Sequence, residues 1–427
     1  MKEKVTILTG AGFTVPLDFG GPSTKMLTDK LRALKIKNYD IDGKTPGEYF
    51  YRKLCHHYTR KIKTDCDLSI VNFETIIHLL EELYSHLTSY NKPNIKGKDP
   101  SILKNIAKSK GVKPSFLILK DAIKKDLSTL KTTTNIESLN QIVKNIYSHF
   151  IDAIIDELKT FNSDSKNIGM RKFEKMFLDK HLPESNFTRR FYTLNYDTWL
   201  NKHLGIYDGF DSTGKFEEEK VMKQFDIDCH YNLHGSILWQ NDLDKNKMKK
   251  LKNPVDYLGY SQSSTYGLNR EPLIATPIIT GYHKLERMKF NPYLQFYYSL
   301  QNDILSSDLL ILVGYSFSDT HINNIISLFK GKCVVVSYIK NWVAAEEAER
   351  KITPKGRPIE YENVLFDRWD DDVTSILQSI EPIDGGFNNI KEKDIQNGWI
   401  KSQDGNTKVW WKGIGDDFYS NWTNIIA

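Results

Sequence analysis

Four short apolar segments, each running into a cluster of glycine or polar residues, constrain the fold of this chain more than any other feature. Val5-Thr6-Ile7-Leu8-Thr9 runs into Gly10-Ala11-Gly12, and Phe191-Tyr192-Thr193-Leu194 runs into Asn195-Tyr196-Asp197. His230-Tyr231-Asn232-Leu233 precedes His234-Gly235-Ser236, and Leu309-Leu310-Ile311-Leu312-Val313 precedes Gly314-Tyr315-Ser316. Apolar, β-branched runs without polar alternation are the pattern of strands buried on both faces, as in a parallel sheet. A fifth such run spans 333–339.

Helical patterns alternate with these runs. Ser23 or Thr24 can cap a helix that places Met26, Leu27, Leu31 and Leu34 on one face. Others are expected through Leu200 and Leu204, over 320–330, and near Ala344. The fold class expected is therefore α/β: a Rossmann-like parallel sheet with helices on both faces. In such a sheet the four polar clusters all fall at strand carboxyl ends, the edge where open α/β sheets bind ligands.

Residues from about 45 to 182 interrupt this alternation with helical spacing. Phe73, Ile76, Ile77, Leu80 and Leu83 form one stripe, and Tyr147, Phe150, Ile151 and Ile154 another. The expected organisation is a discontinuous core over 1–44 and 183–345, a helical insertion over 45–182, and a small C-terminal extension over 346–427. Four of the eight tryptophans, Trp399, Trp410, Trp411 and Trp422, lie in its last segment, from Pro382 onward. Such an aromatic segment packs back on the core or covers a subunit interface, and composition does not choose between them.

The longest apolar runs are far too short to span a membrane, and the N-terminus shows no signal-peptide pattern, so a cytoplasmic protein is expected. Cys55, Cys66, Cys229 and Cys333 contain no pair at the two-residue spacing of a zinc ribbon. A disulfide framework is not expected at this length, and the thiols are expected to be reduced and mostly buried. A net charge of +5 excludes a polyelectrolyte binder overall. Residues 92–131 nevertheless carry eleven lysines against three aspartates. That segment is either a nucleic-acid or partner surface or the solvated face of a helical subdomain, so direct nucleic-acid binding stays open.

Each polar cluster has a chemical reading and a plainer one. Thr9-Gly10-Ala11-Gly12-Phe13-Thr14 suits a phosphate cradle, because glycines turn tightly and let backbone N–H groups approach a pyrophosphate. The same glycines can serve packing alone, and the dehydrogenase fingerprint is absent because Val15 stands where its third glycine would be. Asn195 and Asp197 can reach one side of an extended backbone to bind ribose hydroxyls or a water, or Asp197 can cap a helix. His234 can act as a general base or be a core histidine at a turn. Gly314 and Ser316 suit a second phosphate or ribose contact, or a capped strand–helix turn.

In this order the segments resemble the sirtuin family, in particular its bacterial antiviral-defence branch of NAD⁺ hydrolases. Gly10-Ala11-Gly12-Phe13-Thr14, Asn195-Tyr196-Asp197, His234-Gly235-Ser236 and Gly314-Tyr315-Ser316-Phe317-Ser318-Asp319-Thr320-His321-Ile322 carry the resemblance, with Asn72-Phe73-Glu74 as a weaker fifth. It implies a catalytic pair, Asn195 and His234, beside the nicotinamide ribose. It further implies that Gly10, Ala11, Gly12, Phe13 and Thr14 line the pyrophosphate and nicotinamide side, that Asp197 supports the ribose pocket, and that Gly314 and Ser316 hold the adenosine half. Two departures separate the chain from deacetylating sirtuins. It lacks the cysteines of their zinc ribbon, and Pro16-Leu17-Asp18-Phe19-Gly20-Gly21 lacks the arginine of their proline-aspartate-phenylalanine-arginine stretch.

The resemblance implies a glycohydrolase that takes NAD⁺ as its substrate, requires no metal, and releases nicotinamide with ADP-ribose or its cyclic form. Its setting would be NAD⁺ depletion in antiphage defence (abortive infection), latent until triggered. Homo-oligomers are implied, and so is a partner such as a HerA-like ATPase. The alternatives are an NAD-dependent protein deacylase, a non-catalytic module sensing NAD or ADP-ribose, and a nucleic-acid-binding subunit.

Overall fold

The computed structural model describes residues 2–14, 23–62, 71–90, 136–162, 168–242, 247–253, 264–266, 272–274, 278–280, 288, 291–344, 347–348 and 395–426, apart from isolated positions among them such as Asp197. Residues 16–21 and the lysine-rich 92–131 lie outside the described residues.

In chain order the strands are β1 (Glu3–Thr9), β2 (Phe187–Thr193), β3 (Cys229–Asn232), β4 (Trp239–Asp242), β5 (Lys247–Lys250), β6 (Ser264–Tyr266), β7 (Pro272–Ile274), β8 (Leu309–Val313), β9 (Lys332–Val336), β10 (Ile395–Gln396), β11 (Trp399–Lys401) and β12 (Thr407–Trp410). The fold is α/β. Eight of these strands form one sheet in the order β10-β11-β12-β9-β8-β1-β2-β3. Neighbours from β12 through to β3 are parallel, and β10 and β11 add antiparallel strands at one edge.

The chain divides into two compact units. The first comprises Met1–Gly21, Ser163–His234 and Pro292–Ala427, and holds the sheet. Alternation along its strands sends side chains to two faces. On one face Val5, Ile7, Phe191, Ile311, Val313, Val334, Val336 and Trp410 pack with Phe173, Phe177, Leu200, Phe418 and Trp422 in a single core. Aromatic rings dominate that layer: Phe177 meets Trp422 edge-on at 4.7 Å and Phe418 at 5.2 Å.

The other face carries a polar knot. Arg190 of β2 and Asp303 of the helix Tyr293–Ser306 are both fully buried and pair at 2.6 Å. Tyr192 donates its hydroxyl to Asp303 Oδ2, also at 2.6 Å, while Arg190 donates to Ser299 Oγ and to the carbonyl of Ile227. Burial, with the charge of Asp303, holds the Tyr192 hydroxyl protonated well above its ordinary range. A buried charge persists only with such partners.

The tryptophan-rich tail packs back onto this unit. β12 pairs in parallel with β9, matching Trp410 to Val336, and Trp410, Trp411 and Trp422 are buried. The terminal helix Asp416–Ile426 contributes Phe418, Tyr419, Trp422 and Ile425 to the core layer.

The second unit comprises Pro22–Asn162 and Gly235–Asn291. Its helices include Thr24–Ala33, Pro46–Ile62, Phe73–Tyr90 and Ile136–Asn162, and it holds the hairpins β4–β5 and β6–β7. Both expected stripes are buried throughout. Ser23 caps the first helix by accepting from the Met26 amide, and Asn72 accepts from the amides of Glu74 and Thr75 at the start of another. Met26 departs from expectation: it is 39% exposed, and Leu27 and Leu31 alone of the four are buried. Met26 stands one position before Leu27, about 100° round the helix, which turns it off the face that Leu27 and Leu31 share.

The cysteines require a correction. Cys229 and Cys333 are free and buried, but Cys55, in the helix Pro46–Ile62, is disulfide-bonded. Chain length argues against a framework of disulfides, whereas a single bond needs only two Cβ atoms at close range. Among the described residues no helix is long and apolar enough to cross a membrane.

Candidate active site

Parallel pairing in register places the sequence clusters on one edge. Thr9 pairs with both Thr193 and Val313, and Thr193 pairs with Asn232. Gly10, Asn195, His234 and Gly314 follow just beyond those strand ends. β2 and β3 lie on one side of β1, and β8, β9 and β12 on the other, so the winding direction reverses between β1 and β8. The carboxyl ends at such a switch point are where open α/β sheets take ligands.

Glycine is required there by backbone contact. Gly10 donates its amide to the Val313 carbonyl, and Gly12 donates to the Gly314 carbonyl at 3.0 Å. A Cβ on Gly12 would lie 2.8 Å from Gly314 Cα. Gly314 itself has φ +60°. A Cβ on it would meet the Gly12 carbonyl carbon at 2.2 Å and the Phe13 nitrogen at 2.3 Å. The two turns thus close on each other backbone to backbone. With the Gly10 and Gly12 amides engaged inside the protein, the loop offers a ligand its shape and its exposed Ala11 and Gly12 surface.

Phe13 and Thr14 turn inward. The Phe13 ring stands edge-on to Phe173 at 5.2 Å within the core, and the Thr14 hydroxyl donates to the Ala11 carbonyl at 3.3 Å. Asn195 is half-buried, and its side-chain amide donates to the Gly10 carbonyl at 3.0 Å. Its own amide donates to Thr193 Oγ1, and its carbonyl accepts from Asn232 Nδ2. The loop after β2 is thereby tied to the loops after β1 and β3. Asp197 lies outside the described residues.

After β8, the turn is held by Asn323, whose amide donates to the Phe317 carbonyl at 2.7 Å and whose Oδ1 accepts from the Tyr315 hydroxyl. Phe317 takes a positive φ of 56°, which is costly for a residue with a side chain and is sustained by this bracing. Ser316 is exposed, with its hydroxyl 2.9 Å from that of Ser318.

His234 is 2% exposed at the end of β3. The structure brings it together with two residues to which sequence reasoning gave no role. The His321 ring centroid lies 6.2 Å from that of His234, and Asp319 completes a trio whose ligand-type atoms all fall within 4.8 Å of one another. Among the described residues this trio is the group of histidine and acidic side chains that could hold a metal ion. Tyr297 Oη stands 3.2 Å from His321 Nε2. Burial first, then the negative charge of Asp319, pushes the Tyr297 hydroxyl well above its ordinary pKa, so it stays protonated. The sequence signal was the Asp-Thr-His order two residues beyond Phe317, but nothing in it pointed across the chain to His234.

No protein-family model matches the chain, and no curated protein is significantly similar to it.

Proposed function

We propose that the chain is an NAD⁺ glycohydrolase that breaks the bond between nicotinamide and ribose. The observation that carries this reading is the Asn195 amide bound to the Gly10 carbonyl, at the sheet's switch point and on the same strand-end row as His234. The resemblance of the same segments to sirtuin-like NAD⁺ hydrolases of antiviral defence supplies the chemistry.

Nicotinamide leaves as a neutral molecule from a cationic ring, so the transition state is an electron-poor, oxocarbenium-like sugar. The protein's tasks are to hold the dinucleotide, exclude bulk water and orient one nucleophile. Ala11 and Gly12, on a turn that Gly10 and Thr14 hold from inside, would line the pyrophosphate side, with Gly314 and Ser316 toward the adenosine half. Asn195, fixed by Gly10, would position the ribose or the attacking water, and His234 would polarise that water or a ribose hydroxyl. The leaving group is already activated, so the reaction needs no metal. Water attacks the anomeric carbon as the glycosidic bond breaks, giving nicotinamide, ADP-ribose and a proton.

On this reading the chain depletes NAD⁺ in antiphage defence in the cytoplasm, latent until triggered, as a homo-oligomer with a partner such as a HerA-like ATPase. Chromatography of products tests it. With NAD⁺, nicotinamide and ADP-ribose should appear in equal amounts. Nicotinamide formed only when an acyl-lysine peptide is added would indicate a deacylase instead.

A further inference from the structure

We propose that His234, Asp319 and His321 bind a divalent transition-metal cation of the zinc class, and that a bound cation silences hydrolysis by occupying His234. The second half rests on the hydrolase reading above; the first does not.

Two imidazoles and one carboxylate are the donors of many zinc and iron sites with an open position, whereas magnesium and calcium prefer all-oxygen shells. One such atom from each residue already lies within 4.8 Å of the others. Tetrahedral donors about 2.1 Å from zinc stand roughly 3.4 Å apart, so the trio needs to close by roughly 1.4 Å at most.

The fold allows that closure on one side and resists it on the other. His234 is fixed, being buried just beyond β3, the parallel strand at one edge of the sheet. Asp319 and His321 are partly exposed and lie at the start of the short helix Thr320–Ile326, where small side-chain rotations suffice.

Metal-binding histidines characteristically present their second nitrogen to an outer partner that sets the ring. Tyr297, 3.2 Å from Nε2 of His321, stands where such an outer partner would. With zinc the site would carry a net charge of +1 and keep a fourth position for water. A His234 nitrogen engaged by the metal can no longer polarise a water or a ribose hydroxyl, so cation and base function exclude each other.

The test uses the full chain without a polyhistidine tag, stripped with a chelator and titrated with Co²⁺. Visible absorption bands should saturate at one equivalent and vanish on adding Zn²⁺. His321→Ala and Asp319→Asn should each weaken Co²⁺ binding by more than about tenfold, while the exposed His56→Ala leaves it unchanged. Circular dichroism verifies folding, and Asp319→Asn, which keeps the side chain's shape, guards against a misfolded alanine variant. No saturable binding, or unchanged binding in both variants, overturns the site. In the activity arm, Zn²⁺ should inhibit nicotinamide release by the wild type, and His321→Ala should need more than about tenfold more zinc for the same inhibition. Equal sensitivity overturns the silencing. Cobalt binding with no release of nicotinamide even when candidate partners are added sinks the hydrolase reading and leaves the site standing; release without cobalt binding does the reverse.

Discussion

Asn195 donates its side-chain amide to the main-chain carbonyl of Gly10 across 3.0 Å, joining the loops that follow two neighbouring parallel strands. This bond turns two sequence motifs, far apart in the chain, into one surface. It also fixes the side chain to which the proposed chemistry assigns the orienting role.

Gly314→Ala tests the closure of the β1 and β8 turns. The new methyl group would require a left-handed backbone, costing roughly 1–2 kcal/mol, and would overpack against the Gly12–Phe13 peptide for about 1–3 kcal/mol more. Urea unfolding should show a loss of roughly 2–5 kcal/mol. A loss under about 0.5 kcal/mol, the range of ordinary surface changes, would mean that the turns are not in contact in solution.

Asp303→Ala would leave Arg190 buried beside Tyr192 without its carboxylate. Removing one partner of a buried pair typically costs about 3–5 kcal/mol. The variant should unfold at markedly lower denaturant, and an unchanged midpoint would place Arg190 in water.

Thiol reactivity tests the cysteine assignments. Burial first, and the nearby Asp303, push the Cys229 thiol up to about 12 despite the opposing charge of Arg190. Cys229 and Cys333 should therefore resist alkylation at pH 8 in the folded protein and react once it is unfolded. With Cys55 disulfide-bonded, unfolding without reductant should expose fewer than four reactive thiols. Four would contradict the bond.

His181 gives a pH dependence of known sign. Burial lowers its pKa below 6.5, partly opposed by its contact with the Tyr419 carbonyl at 3.1 Å. Between the folded value and 6.5 the unfolded chain binds more protons, so stability rises with pH across that window. The stability difference between wild type and His181→Gln should shift in the wild type's favour as pH rises toward 6.5 and level off above it. A shift of opposite sign would contradict the burial.

Much of this was legible in the sequence because local chemistry decides it. The runs at β1, β8 and β9 are apolar and β-branched, those at β2 and β3 carry aromatic residues, and the parallel pairing of all five puts the residues beyond them on one edge. The helical stripes around Phe73 and Tyr147 read correctly for the same reason. β12 was not legible, because Thr407-Lys408-Val409-Trp410 carries a lysine in mid-strand. Its aliphatic stem is buried while the ammonium reaches past the Trp399 ring, 4.9 Å away, to the Asn424 carbonyl. Nor did local pattern mark Asp319 and His321, whose grouping with His234 depends on how the helix after β8 lies against the end of β3.

The decisive measurement is nicotinamide release from NAD⁺ by the purified chain, alone and with candidate partners, in the wild type, Asn195→Ala and His234→Ala. Release should fall by at least about 100-fold in each variant, the scale on which a positioned acid–base group contributes, with circular dichroism unchanged. Release that persists at the wild-type rate in both variants would contradict it.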